Sequence, residues 1–300
     1  PRSTRKESSG ASDVYKRQGY YPDEEKDWAL TPDILEDAYQ RATKKGVNIK
    51  SIVIINPGNP TGAILGRQSI EGVLDFVEKY DLSIIADEVY QENLYGGLFI
   101  SMASAVASRN ITLFSLHSIS KGFTGECGHR GGYMELRNMP SLNGKNMNLS
   151  ELILKQASVS LCSNTVGQAI MYMMVKPPQI GSESHTLYTA EKNTILRELE
   201  TKGILIREGF KQMEGMECFG STGAMYLFPR INSLPRHLTD FDYCMQLLEE
   251  TGICTINGGG FGQMSGTQHL RIAFLPPLQL ITRFLPEWIN FHNRYIHSPK

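Results

Sequence analysis

From Gly19 onward the chain alternates short, uniformly apolar runs with longer segments whose apolar residues recur every three or four positions. Thr31-Pro-Asp-Ile-Leu-Glu36 reads as a helix start, with Thr31 at the N-cap and Pro32 at the first helical position. That helix should reach about Lys45 and stop at Gly46. Residues 51–55 form a β-branched run without alternation, the pattern of a strand buried on both faces. The run breaks into Asn56-Pro-Gly-Asn-Pro-Thr-Gly62, a turn dense in proline and glycine. Residues 69–80 restore a helical period through Ile70, Val73, Leu74 and Val77. Residues 82–86 predict a second buried strand that closes on Asp87-Glu-Val-Tyr90, and residues 111–114 predict a third.

Beyond Arg130 the pattern predicts a strand over 131–136, then helices over 150–159 and 166–175, broken near Cys162-Ser-Asn164. Pro177-Pro178 closes this lobe. A long charged helical period over about 183–214 suits a helix bridging two lobes. The remainder reads as α+β. Strands fall at 224–228, 252–256 and 269–275, and a helix at 242–251 is capped by Thr239 or Asp240. A glycine-rich turn occupies 258–262 and a last helix 278–295. The fold class is therefore α/β, a mostly parallel sheet flanked by helices with a smaller C-terminal α+β domain. The expected division is a leader over 1–18, a large domain over 19–185, and a bridging helix with the small domain over 186–300.

Spacing adds to this. Asn59, Asp87 and Lys121 fall at intervals of about 30 residues, roughly one βαβ unit each. Parallel strands end at one sheet edge, where ligands sit. Asn59, Asp87, Tyr90 and Lys121 should converge there.

Composition narrows the field only a little. The 30 basic and 31 acidic residues give a net charge of -1, which argues against nucleic acid or an anionic membrane as main partner. No apolar run approaches the roughly 20 residues that span a bilayer. Five scattered cysteines without a C-x-x-C pair suggest reduced thiols, mostly in the core. The seven histidines show no metal-ligand spacing, so no metal site is expected. Residues 1–18 hold only Ala11, Val14 and Tyr15 as apolar side chains and no secretory h-region, and are read as a disordered or foreign leader.

The chemistry centres on Ser115-Leu-His-Ser-Ile-Ser-Lys-Gly-Phe-Thr-Gly-Glu-Cys-Gly-His-Arg-Gly-Gly132. Ser118, Ser120 and Arg130 are groups that grip a phosphate, by hydroxyl and charge-assisted hydrogen bonds. Lys121 among them could form a Schiff base with an aldehyde cofactor carrying that phosphate. The ordinary alternative is a solvated lysine in a Ser/Gly loop. Asp87 could equally cap a helix, Tyr90 could be a core aromatic, Arg271 could form a structural ion pair, and Ser120 could lie behind the site. Cys127 and His129 flank Gly128, but close sequence neighbours seldom make a nucleophilic dyad. The 258–262 glycines lack the spacing of a dinucleotide fingerprint, which disfavours a nucleotide-binding protein.

In order and spacing, Asn56-Pro-Gly-Asn-Pro-Thr-Gly62, Ala86-Asp-Glu-Val-Tyr90 and Ser118-Ile-Ser-Lys121 resemble the pyridoxal-phosphate aminotransferases of fold type I. The run from Lys121 to Glu135, with Gly223-Ala-Met-Tyr226, Leu247-Leu-Glu-Glu-Thr-Gly-Ile-Cys254 and the Gly-Phe-Gly262 turn, is similar more narrowly to the alanine aminotransferases. The resemblance implies pyridoxal 5'-phosphate as cofactor. It assigns Lys121 as anchor and general base, and Asp87 as partner of the pyridine nitrogen. Asn59 and Tyr90 would take the ring's phenolic oxygen, Ser118, Ser120 and Arg130 the phosphate, and Arg271 the substrate carboxylate in a bidentate pair. It further implies ping-pong transfer between alanine and 2-oxoglutarate, a homodimer, and a cytoplasmic or mitochondrial matrix location. Other readings are an aminotransferase for glutamate and glyoxylate or for aromatic amino acids, an eliminating lyase, or a truncated chain without activity.

The family carries further sequence upstream of the position matching Gly19, including a phosphate loop that Ser9-Gly-Ala-Ser-Asp13 only echoes. The expectation is a fragment with a non-native leader, an unpaired strand edge near Tyr20-Tyr21, weak or absent activity, and poor solubility.

Overall fold

Thr31 is extended (φ -104°, ψ 156°) and Pro32 opens the first helix, α1 (Pro32–Lys44), although the Thr31 side chain makes no capping bond. In this computed structural model, which describes residues 18–142, 147–220 and 223–297, α1 leads into β1 (Ser51–Ile55), α2 (Arg67–Lys79) and β2 (Ser83–Asp87). Then come a short α3 (Met102–Ala105), β3 (Leu113–Ser118) and β4 (Gly132–Arg137). Apart from Gln18, the leader expected at the start of the chain lies outside the described residues.

The four strands form one sheet in the order β1-β2-β3-β4. The first three run parallel and β4 is antiparallel to β3. Ile55 pairs with Asp87 and Asp87 with Leu116, so the strand ends align at one edge. The register does what the spacing predicts.

The sheet is not buried on both faces, which corrects one expectation. Ile52, Ile54, Ile84, Ala86 and Leu113 pack beneath α1, α2 and α3, while Val53 and Ile55 on the other face stay 49% and 37% exposed. Apolar runs register affinity for a core, not which element supplies it. The outer edge of β1 is partly blunted by Tyr20, whose hydroxyl donates to the Val53 carbonyl at 2.7 Å. Burial pushes that hydroxyl up to about 12.

The second half continues with α4 (Leu149–Ala157), α5 (Thr165–Val175) and α6 (His185–Phe210). Short strands β5 (Met216–Glu217), β6 (Tyr226–Leu227) and β7 (Arg230–Ile231) precede α7 (Asp240–Thr251), β8 (Ile256–Asn257), β9 (Leu270–Ala273) and α8 (Leu278–Tyr295). Its core gathers Phe210, Tyr243, Leu270, Trp288 and Phe291 around the antiparallel sheet β6-β9-β8. Tyr90, from the first half, belongs to this second core.

Two glycines hold the halves together. Gly62 sits at φ +67°, and a Cβ there would lie 2.7 Å from the Tyr226 carbonyl oxygen. Its own carbonyl accepts the Gly223 N–H at 2.7 Å. Among the described residues no helix is long and apolar enough to cross a membrane. All five cysteines are free, but only Cys244 is buried; Cys127, Cys162 and Cys254 lie exposed in connecting segments, against the expected core placement.

Candidate active site

Three of the residues singled out in the sequence lie at the aligned sheet edge. Asn59 lies in the turn after β1, Asp87 ends β2, and Lys121 follows β3. The Lys121 loop is tied to itself: the Glu126 N–H donates to the Ile119 carbonyl at 2.9 Å, and Thr124 Oγ1 lies 3.1 and 3.2 Å from the Ile119 and Lys121 carbonyls. Gly122, at φ +67°, turns the chain away, and its carbonyl accepts from Asn93 Nδ2 at 3.3 Å. The lysine side chain is thereby aimed back across the edge.

Lys121 Nζ donates to the Tyr226 hydroxyl at 3.5 Å and lies 5.8 Å from the centre of the Tyr90 ring. The Tyr90 hydroxyl donates to the same Tyr226 oxygen at 3.2 Å. Burial, and then that bond, raise the Tyr90 phenol well above its ordinary range. Arg271, on β9, stacks its guanidinium 4.4 Å from the Tyr226 ring centre and 4.7 Å from that of Phe261. Its Nη1 donates to Asn59 Oδ1 at 2.8 Å. Asn59, Arg271, Tyr226, Tyr90 and Lys121 thus form one unbroken chain of contacts, although Asn59 and Arg271 are 212 positions apart.

Asp87 stands beside this chain, half-buried, with Oδ1 accepting the Val89 N–H at 3.4 Å. Burial pushes its carboxyl up, while the Val89 N–H, His117 and Lys121 pull it down. Its neighbour Glu88 points to the buried face. There Oε1 accepts the Met102 N–H at 2.6 Å, and Oε2 has no hydrogen-bond partner and lies 3.9 Å from His117 Nε2. Burial pushes Glu88 up to about 7 and pushes His117 down. The His117 ring stacks on Tyr133 at 4.9 Å.

Ser118 Oγ accepts the Ser120 N–H at 3.0 Å and lies 2.9 Å from Ser120 Oγ. Ser118 of this pair borders an open cleft lined by His117, Ser118, Lys121, Gly122 and Phe123. Arg130 is not drawn to it. Held at φ +53°, it donates from Nη1 to the Cys127 carbonyl at 2.8 Å. Cys127 and His129 do not form a dyad either: His129 Nδ1 pairs with Glu126 at 2.8 Å, and Cys127 Sγ faces Arg130 at 3.7 Å. Among the described residues no acidic side chain pairs with Arg271, so the structural ion pair weighed from the sequence is not what the structure shows there.

Residues 15–285 match the family described as aminotransferase class I and II. The chain belongs to that family. It is 41% identical over 300 residues to a protein named probable alanine aminotransferase, mitochondrial, of Dictyostelium discoideum, covering 94% of this chain and 55% of that one. It is also 41% identical over 295 residues to one named inactive alanine aminotransferase, of Saccharomyces cerevisiae, covering 92% and 56%. A solved alanine aminotransferase from Pyrococcus furiosus superposes with a TM-score of 0.75 at 25% identity, over 92% of this chain and 64% of that one. The chain spans about half the length of the curated relatives it matches.

The side chains of this aminotransferase-family chain can be weighed against the family's cofactor, pyridoxal phosphate. A lysine amine on a turn, a half-buried carboxylate near enough to feel its charge, and the Ser118 hydroxyl on the cleft that Lys121 lines suit its aldehyde, ring nitrogen and phosphate. The donor set fits, with the Arg130 guanidinium engaged elsewhere. Sequence reasoning passed over four residues at the site: His117, Glu88, Tyr226 and Phe261. Tyr226 sits in the Gly223-Ala-Met-Tyr226 run, where an aromatic reads as core. Phe261 is a lone aromatic within a glycine turn, and that contrast was the available signal.

Proposed function

We propose that the chain carries the lysine-bearing part of a pyridoxal-phosphate-dependent aminotransferase site, converting L-alanine and 2-oxoglutarate to pyruvate and L-glutamate. The observation that carries this is the contact chain from the Lys121 amine through Tyr226 to Arg271, a half-buried cation without an acidic partner among the described residues. An amine and a guanidinium held on the two sides of one tyrosine can hold an amino acid at its carboxylate while a proton moves at its α-carbon. When bound, pyridoxal phosphate supplies an electron sink for the charge left at that carbon.

The chain's own residues then divide the work. Lys121 would hold the cofactor at its aldehyde, and its amine would take the proton from the substrate α-carbon and return it, as general base and acid. Asp87 would pair with the ring nitrogen; burial raises its carboxyl, and the Val89 N–H and the neighbouring Lys121 offset part of that. Asn59 and Tyr90 serve the phenolic oxygen. Ser118 and Ser120 take the phosphate, and Arg130 joins them on exchanging its bond to the Cys127 carbonyl. Arg271 takes the substrate carboxylate. The partner is a second copy of the chain, supported by exposed apolar side chains on α4 and α5. The location is the cytoplasm or the mitochondrial matrix, supported by relatives whose names place them in mitochondria. A second reading, a chain that keeps the fold without turnover, is favoured by one relative's name.

Visible absorption with added pyridoxal phosphate, before and after borohydride, separates the two. Label fixed on Lys121, and lost in Lys121→Ala, is expected. Label elsewhere, or none on a folded chain, would leave the second reading.

A further inference from the structure

Tyr226 touches both ends of the proposed site. On β6 it pairs with Ala273 of β9, the strand carrying Arg271, and it is buried. One ring meets the Arg271 guanidinium at 4.4 Å, and the hydroxyl on that ring receives Lys121 Nζ at 3.5 Å and the Tyr90 hydroxyl at 3.2 Å. The Tyr90 ring stands edge-on to it at 5.7 Å and 81°, which restricts its tilt. A guanidinium that sits on aromatic faces keeps its N–H fork in the plane. Arg271 spends Nη1 on Asn59 and has further donors to offer.

We propose that Tyr226 is a two-sided positioning residue: its ring registers Arg271 for a substrate carboxylate, and its hydroxyl orients the Lys121 amine. This deepens the aminotransferase reading and rests on it. The two sides of the residue are chemically separable, because phenylalanine keeps the ring and loses only the hydroxyl. Phe261 shares the ring task alone, since its contact is with Arg271.

Two readouts on the cofactor-free 300-residue chain test this without turnover. Calorimetric binding of 2-oxoglutarate reports on Arg271. The rate at which pyridoxal phosphate becomes fixable on Lys121 by borohydride reports on the amine. Tyr226→Phe should slow fixation about three- to tenfold, the range of one hydrogen bond, and leave 2-oxoglutarate binding unchanged. Tyr226→Leu should slow fixation equally and also weaken binding about three- to tenfold, the range of one cation–π contact. Phe261→Leu should weaken binding alone. Should Tyr226→Leu fail to fold by circular dichroism, Tyr226→Phe and Phe261→Leu still carry the two arms. Equal changes in both readouts for Tyr226→Phe, or unchanged binding in Phe261→Leu and Tyr226→Leu, would overturn the proposal. Arg271→Gln separates it from the reading beneath. If that variant binds 2-oxoglutarate as the parent does, or the parent does not bind it, the carboxylate site itself is wrong and the ring half falls with it.

Discussion

Glu88 shows how far one side chain's charge depends on its surroundings. Its carboxyl rises from an ordinary 4.5 to about 7, because burial strips its water and only one oxygen finds a donor. The folded chain therefore holds this proton over a window where the unfolded chain has released it. Stability from this group falls as pH climbs from about 4.5 to 7 and is level outside that window, by about 3 kcal/mol in all. Glu88→Gln should lack that slope. Urea unfolding of both chains at pH 5, 6, 7 and 8 checks it, and a constant difference across the series would show that Glu88 ionises freely in the fold. At this scale the sequence was informative where charge stood in apolar context. Asp87 closing an apolar run and Lys121 among glycines stood out for that reason. Tyr226 and Phe261 did not, because an aromatic reads as core whether or not it also touches a lysine or an arginine. Arg130 shows the converse: its type suits a phosphate, but its left-handed backbone turns the side chain to Cys127.

At the scale of elements, capping and close approach decide local strength. Thr239 caps α7 in a reciprocal box, its hydroxyl accepting the Asp242 N–H at 3.2 Å and the Asp242 carboxylate accepting the Thr239 N–H at 2.9 Å. Thr239→Ala should cost about 1 kcal/mol in urea unfolding, and Thr239→Asn should restore most of it. Gly62→Ala should cost more, roughly 2–4 kcal/mol, since a Cβ at φ +67° meets backbone oxygen on β6 and in Gly223. A loss under about 0.5 kcal/mol would mean that the seam relaxes freely. The helices were legible here: α8 runs from Leu278 to Tyr295 as periodicity predicts. Strand bounds were less so. β3 continues to Ser118, past the end of its apolar run, because antiparallel pairing with β4 carries Ser115, His117 and Ser118 in the ladder. That extension is what brings Ser118 to the cleft. Local apolarity could not announce it, since ladder bonds are indifferent to side-chain type.

At the scale of the whole molecule, the described residues form two cores and one weak flank. α4 and α5 bury no side chain other than the Gly167 position, and Leu154, Val159 and Leu161 are 63%, 78% and 82% exposed. With the bare face at Val53 and Ile55, this is more apolar surface than an isolated soluble chain usually shows. The 300-residue chain should associate with itself as concentration rises, and sedimentation velocity across a hundredfold range checks it. A monomer throughout would contradict this. Composition gave no hint of the flank, because an apolar helix face looks the same in sequence whether its cover is near or absent.

Gly223 and Ala224 thread between the two halves, their N–H groups donating to the Gly62 carbonyl at 2.7 Å and the Asn93 carbonyl at 3.0 Å. The first lies outside helix and sheet and the second belongs to a lone antiparallel bridge between Leu94 and Gly223, so neither opens by fraying of a longer element. Both residues are buried, so deuterium reaches these two amides when their contact with the first half opens. Their exchange rates therefore read out how often the Asn59 turn and the Arg271 strand lose sight of each other.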